Sequence, residues 1–406
     1  MFLNGETRAS ALALVAGGLL WLPRAALAAE AQAEAPAEVG KATEEAKEAP
    51  LQLTLFVDAY AGWQTSGTGT LATLSHHRGF SGQGATLRAE NGLGLAFLGI
   101  DASYDAGDFG VVGNVRFGQA ASIYHTHPDG TDVGFGVDNL TQAYLLWRPV
   151  QPLELDLGMF TSPFGAEALE SWKNPNYSLS ALYVYGQPSW HTGLKARWQL
   201  SAPWTLMAVV VNGVNNVSET EQQGGLSQAP TVGGSVTYAP NAAGTLALGG
   251  LLALDPAGND DSGFDGFADL VATLHLGRTT AYLNADLIWT DDGAPNGRDR
   301  LFLGGSVAAS HGFSDVFAVG ARGEYLWDQA SFGGGDIWKL AAGTLTLDLR
   351  PIKGVGNLIV RWENRWEWSN QRVFGGSSRG TTATGDDDHK ATWFGTVLGV
   401  VITSRA

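Results

Sequence analysis

The chain contains no cysteine, little charge and, beyond its first 28 residues, no long apolar run. Each absence closes off a class of protein. Without thiols there is no disulfide, no Cys-ligated zinc, no iron–sulfur cluster and no thiol nucleophile. No later stretch reaches the ~18 apolar residues that a membrane-spanning helix requires. Charged residues make up 16% of the chain, where about 25% is usual for soluble proteins. Basic residues are the scarcer sign, 24 Lys+Arg against 40 Asp+Glu, for a formal charge of −16 and a pI near 4.8. That balance excludes nucleic acid as a partner, because phosphates call for a basic face. What the 406 residues do hold is 14 Trp and 55 Gly, the glycine about twice the usual ~7% share. Such a chain must hide its apolar side chains without long apolar helices.

The N-terminus reads as an export signal. Residues 1–28 carry Arg8, the apolar run 9–22 and then Ala26-Leu27-Ala28, a small-x-small cleavage pattern. The run is shorter than the ~20 residues of a spanning helix. Residues 29–50 hold six Glu and two Lys among Ala and Pro, with no apolar stripe, and are expected to form an acidic Ala/Glu-rich periplasmic tether.

From Leu51 onward the pattern has a period of two, the signature of strand. In 358–368 one parity gives Leu358, Val360, Trp362, Asn364, Trp366 and Trp368, and the other Ile359, Arg361, Glu363, Arg365 and Glu367. Counting such segments predicts sixteen strands: 52–64, 91–104, 109–118, 138–148, 153–162, 189–199, 203–212, 231–239, 244–254, 267–276, 279–290, 301–311, 315–327, 337–350, 356–368 and 391–403. Most reach the ~9–11 residues that let a tilted strand cross a bilayer. Connections after odd-numbered strands are long or intermediate, and those after even-numbered strands are tight turns such as Arg148-Pro149 and Gly277-Arg278. A soluble sandwich has no reason to keep that order, whereas an outer-membrane barrel alternates short periplasmic turns with long external loops. The fold class expected is therefore all-β: a transmembrane antiparallel up-and-down β-barrel of sixteen strands, residues 51–406, with both termini periplasmic. Twelve of the fourteen tryptophans fall in these strands, mostly near strand ends, as an aromatic girdle requires: Trp63, Trp147, Trp190, Trp198, Trp204, Trp289, Trp327, Trp338, Trp362, Trp366, Trp368 and Trp393.

Several stretches carry a resemblance. They are Phe56-Val57-Asp58-Ala59-Tyr60, Gln142-Ala143-Tyr144, the fairly specific FTSPFG…NPNYS…HTGLKA between Phe160 and Ala196, VVNGVNN, Arg322-Gly323-Glu324-Tyr325, Trp362-Glu363-Asn364-Arg365-Trp366 with Val373-Phe374, and Phe394-Gly395-Thr396-Val397-Leu398-Gly399. Through them residues 55–404 resemble the beta-barrel porin-2 (OmpL-like) family of bacterial outer-membrane proteins. The resemblance implies a passive outer-membrane channel for small hydrophilic solutes or ions. Its surroundings would be outer-membrane lipids and lipopolysaccharide, its assembly would use the barrel assembly machinery, and its oligomeric state, including a homo-oligomer, stays open. Barrels of this kind commonly end on an aromatic residue, and this chain ends Ile402-Thr403-Ser404-Arg405-Ala406. The same architecture would also suit a surface receptor, adhesin or structural anchor.

The third long connection, 162–188, is by fold analogy the segment that folds into the lumen and narrows it. It supplies the candidate constriction: Glu167, Glu170, Lys173, Tyr177 and Tyr183, beside Tyr185. The polar strand parity supplies the candidate pore lining: Arg116, Arg148, Lys195, Arg197, Arg322, Arg350, Arg361 and Arg365 against Asp58, Glu154, Asp156, Asp286, Glu324, Glu363 and Glu367, with Asp138, Asp269 and Asp348 on the same parity. Signs are near balance, so a lumen with weak ion preference is expected. His125 and His127, two apart with Asp129 nearby, are a weak metal candidate, and His76-His77 lies in the preceding loop. No cofactor is expected. Catalysis would need a serine matched in depth to a strand histidine (His191, His275 or His311), and no G-x-S-x-G elbow is present.

Overall fold

The computed structural model describes residues 51–65, 92–118, 120–121, 139–212, 230–253, 266–290, 299–329, 337–351, 357–371, 374 and 391–404. The export signal, the tether, His76, His77, His125, His127, Asp138 and Val373 lie outside the described residues.

Sixteen strands follow one another: β1 Leu51–Gln64, β2 Gly92–Asp105, β3 Phe109–Phe117, β4 Leu140–Val150, β5 Leu153–Thr161, β6 Trp190–Ser201, β7 Trp204–Val211, β8 Thr231–Asn241, β9 Gly244–Ala253, β10 Gly266–Leu276, β11 Thr279–Thr290, β12 Arg300–Gly312, β13 Phe317–Asp328, β14 Trp338–Leu349, β15 Asn357–Ser369 and β16 Thr392–Thr403. Every expected strand is present, its ends displaced by at most two residues. Each pairs antiparallel with its sequence neighbours, and β1 pairs with β16 from Phe56↔Thr403 to Gln64↔Gly395. The sheet therefore closes and leaves no free edge, the condition for backbone to survive in hydrocarbon. Even-numbered strands end in short turns and odd-numbered ones in longer connections, which defines a short-turn end and a long-loop end.

Alternation decides which way each side chain points. On β13, Gly320, Arg322, Glu324, Leu326 and Asp328 are buried, while Ala321, Gly323 and Tyr325 face out. On β1, Leu51, Leu53, Leu55 and Val57 are exposed, and Phe56, Asp58 and Tyr60 point inward. The molecule is thus inverted relative to a soluble protein, with an apolar exterior and a polar, charged interior. Among the described residues no helix is long and apolar enough to cross a membrane; the strands do it.

The tryptophans divide more finely than proximity to turns implied. At the long-loop end Trp63, Trp366 and Trp368 are exposed, and both Trp63 and Trp366 pack against Phe394. At the short-turn end Trp147 stacks on Phe109, Trp204 packs at a tilt against Tyr238, and Trp198 is exposed. Trp289 and Trp327 are half-buried near the ends of their strands. Trp362 faces out from mid-strand, where its indole N–H donates to Thr396 Oγ1 at 3.1 Å instead of to water. Trp190, Trp338 and Trp393 correct the sequence reading. All three are buried, and they pack in the interior cluster with Tyr177, Leu182 and Phe302. Trp338 Nε1 donates to Ser369 Oγ and Trp393 Nε1 to Gln64 Oε1.

Candidate functional site: the third long loop and the barrel wall

The connection from β5 to β6 lies inside the barrel. Its ends are drawn together by the Ser162 N–H, which donates to the Ser189 carbonyl at 2.9 Å. Between them it forms a 3₁₀ turn, Ser171–Lys173, and one short helix, α1, Ala181–Gly186. Ser180 starts α1, because its Oγ accepts the Tyr183 N–H at 2.9 Å and satisfies one of the orphan donors of the first turn.

A loop carries unpaired backbone groups that cannot be buried unsatisfied. Here the wall supplies the partners. Arg322 donates to Glu167 Oε1 at 2.7 Å, to the Ser178 and Leu179 carbonyls at 2.8 and 3.1 Å, and to Glu324 Oε1 at 2.9 Å. Arg361 donates to the carbonyls of Ser171, Asn174 and Pro175 while ion-paired with Asp348. Arg365 donates to the Leu179 carbonyl and bridges Glu324 and Glu367. Carboxylates take the loop's N–H groups: Glu363 accepts from Tyr177 and Ser178 at 2.6 and 3.0 Å, Glu324 from Ala181, and Asp269 from Gly165. Asp58 accepts the hydroxyls of Ser171 and Tyr177, both at 2.8 Å. Gln187 and Ala166 reach β11, bonding Asp286 and Asn284. Glycines on the inward parity make room. A methyl at Gly399 would strike the Tyr177 ring, and one at Gly320 the Pro175 carbonyl.

This geometry redistributes the candidate residues. Of the expected constriction, Glu170 and Tyr177 are turned into the wall and buried, Glu167 is half-buried with its carboxylate covered by Arg322, Tyr183 is buried, and only Lys173 is exposed. Of the expected lining, Asp58, Arg116, Asp156, Asp286, Arg322, Glu324, Arg361, Glu363, Arg365 and Glu367 do point inward, but all are buried. Apart from Asp156, which pairs with Lys195, they hold the loop or one another instead of meeting water. Arg148, Glu154, Lys195 and Arg197 are part-exposed. Arg350 lies past the end of β14, exposed in the turn. Parity gave direction correctly; it could not say that a loop covers one side. Asn176, Gln187, Tyr282 and Asn284 also tie loop to wall, and Asn174 braces the loop internally through Ala168; uncharged, they carry no signal in the sequence pattern. The inward glycines were the legible signal of a close approach.

Exposure of the inward side chains is sharply lopsided. On β10 to β16 and β1 nearly all are buried, from Asp269 and Tyr282 through Thr344 and Val397 to Tyr60. On β2 to β8 many are not: Asp101, Ser103, Tyr144, Arg148, Glu154, Lys195, Arg197, Thr205, Met207, Ser235 and Thr237 keep access to solvent. One side of the bore is packed and the other is wet.

Glu170 shows the electrostatics of docking. Burial would push its carboxyl up, but Lys173 at 3.2 Å and the Arg116 guanidinium hold it well below the usual carboxylate range. It is ionised and matched by the wall.

The strand histidines sit among aromatic and threonine side chains. His191 is buried among Phe160 and Phe164, His275 Nδ1 meets Thr280 Oγ1 at 3.0 Å, and His311 Nδ1 meets Thr279 Oγ1 at 2.7 Å. Among the described residues no group of three or more His, Asp or Glu is placed to hold a metal ion.

A closed sixteen-stranded antiparallel barrel, apolar outside and charged within, with one loop folded into its bore, defines an outer-membrane barrel of the porin class. The chain belongs to the family described as "Putative beta-barrel porin-2, OmpL-like", whose profile matches residues 50–400. Among solved structures it is similar to an anion-selective porin from Comamonas acidovorans (13% identity, TM-score 0.52, 87% of this chain and 99% of that one). It is similar also to the outer-membrane channel DcaP of Acinetobacter baumannii (12%, 0.52, 87% and 97%) and to OprB of Pseudomonas putida (11%, 0.52, 87% and 94%). At such identities the likeness is one of fold. No curated protein matches the chain at a significant level.

Proposed function

We propose that this outer-membrane porin passes small hydrophilic solutes and ions by passive diffusion, and that it has no catalytic role. The observation that carries the reading is the lopsided bore: loop 162–188 fills the side lined by β10 to β16 and β1, and solvent-accessible polar side chains remain along β2 to β8. The constriction then lies between the wet wall and the loop face that presents Lys173. Residues 1–28 serve as a cleaved export signal and 29–50 as a periplasmic tether. The outward Trp63, Trp147, Trp198, Trp204, Trp289, Trp327, Trp366 and Trp368 form the girdles at the two lipid interfaces. Lipopolysaccharide at the long-loop end, the barrel assembly machinery and further copies of the chain are its partners. Purified protein in planar lipid bilayers is expected to give stepwise conductance without added energy. A membrane that stays sealed at high protein load overturns the diffusion reading and favours a receptor or anchor, a role consistent with how densely the loop is bonded.

A further inference from the structure

The wet wall is not electrically neutral at the level a solute touches. Lys195 Nζ lies 2.9 Å from Asp156, yet 16% of the lysine side chain is exposed against 3% of the aspartate. Arg197 pairs with Glu154 at 30% against 18%, and Lys173 on the loop pairs with Glu170 at 39% against 8%. In each pair the carboxylate is the drier partner. Both Glu154 oxygens are already engaged, one by Arg197 and the other by Arg148 Nε at 3.0 Å. The cations are not used up in the same way. Among the described residues, Arg197 makes one ion pair through Nη2, which leaves Nε and Nη1 free to donate, and Lys195 is ion-paired with Asp156 alone. Two carboxylates on β2 run the other way: Asp101 is more exposed than Arg116, 2.6 Å from it, and Asp105, at the short-turn end, is more exposed than Arg148, 3.0 Å from it.

From this we infer that the passage prefers small anions, which bind transiently to the spare N–H donors of Lys195 and Arg197 as they pass along β6. The inference rests on the diffusion reading and names its solute class. Along β5 and β6 the chemistry is that of an anion pore: donors exposed, acceptors covered, and binding weak enough to release. Lys195 and Arg197 are two apart on one strand and so project from the same face, roughly 7 Å apart, close enough for an ion to pass from one to the next. The Lys195 ammonium sits 4.8 Å from the centre of the Phe160 ring and 5.6 Å from that of Tyr144, contacts that hold it in place without neutralising it.

The test is the reversal potential of the full chain in planar bilayers under a KCl gradient, on protein whose folding is confirmed by the gel shift of the unheated barrel. Chloride is expected to permeate about three- to tenfold better than potassium. Lys195→Gln with Arg197→Gln should bring the ratio near one, and Glu154→Gln, which uncovers guanidinium, should raise it. Lys339→Gln, on the outward parity of β14, should leave it unchanged. A wild-type channel that conducts with no preference or a potassium preference overturns the inference and leaves the diffusion reading standing. So does an unaltered ratio in the folded double variant. A sealed membrane overturns the diffusion reading itself, and the inference with it.

Discussion

Arg322 concentrates the logic of this interior in one residue. Its guanidinium is buried and satisfies two carboxylates, Glu167 and Glu324, together with two loop carbonyls. A charge taken from water is tolerated only when matched in this way, and removing one partner strands the others. Arg322→Met is expected to destabilise the folded barrel by about 3–5 kcal/mol, read as a lower urea midpoint of the protein in lipid vesicles. Glu170 gives the corresponding pH prediction. Its folded carboxyl titrates below its unfolded value, so its contribution is fully present above the ordinary carboxylate range, near pH ~4.3. That contribution is lost only as pH falls through the depressed folded value. Channel conductance should therefore stay constant through mildly acidic pH. Lys173→Met removes one of the two cations that depress Glu170, and the acid-induced change should begin at higher pH than in the wild type.

At the scale of the element, the loop is best understood as an inner layer docked on prepared ground. Deleting residues 166–183 should raise single-channel conductance several-fold, because 16-stranded barrels leave an aqueous channel when nothing fills them; unchanged conductance would place the loop outside the permeation route. Gly399→Val is a subtler form of the same experiment. The added side chain meets the Tyr177 ring, and relieving that overlap should cost about 1–3 kcal/mol and raise open-channel noise in bilayer recordings. The strands were legible in the sequence because their period, lengths and connections are local properties. Arg361, Glu363, Arg365 and Glu367 alternate with tryptophans, and that alone assigns them inward. What occupies the space before them is set by a segment nearly 200 residues earlier in the chain, and no local pattern encodes that contact. The same limit hid the inward tryptophans. Trp393 shares its parity with Gly395, Val397 and Gly399, a row of small residues that leaves room for the loop, and nearness to a turn was the weaker guide.

For the whole molecule, the two belts of exposed aromatics fix the depth of the barrel in a bilayer. Quenching by brominated lipids should act most strongly on Trp147, Trp198, Trp204, Trp366 and Trp368 when bromine is near the headgroups, and on Trp362 when it lies deep in the acyl chains. Trp190, Trp338 and Trp393 should resist quenching at every depth; equal quenching in single-tryptophan variants would contradict their inward placement. Tyr177 touches three strands at once: its hydroxyl bonds Asp58 on β1, its N–H bonds Glu363 on β15, and its ring covers Gly399 on β16. Every other strand pair in the sheet joins neighbours in sequence, but β1 and β16 meet across the full length of the chain. The residue therefore acts as a rivet over the one seam that synthesis cannot zip up, and it can seat only after first and last strands have met. Unpicking the cylinder along that line, whether for lateral escape of a lipid or for insertion of another chain's strand, would first require the rivet to be drawn.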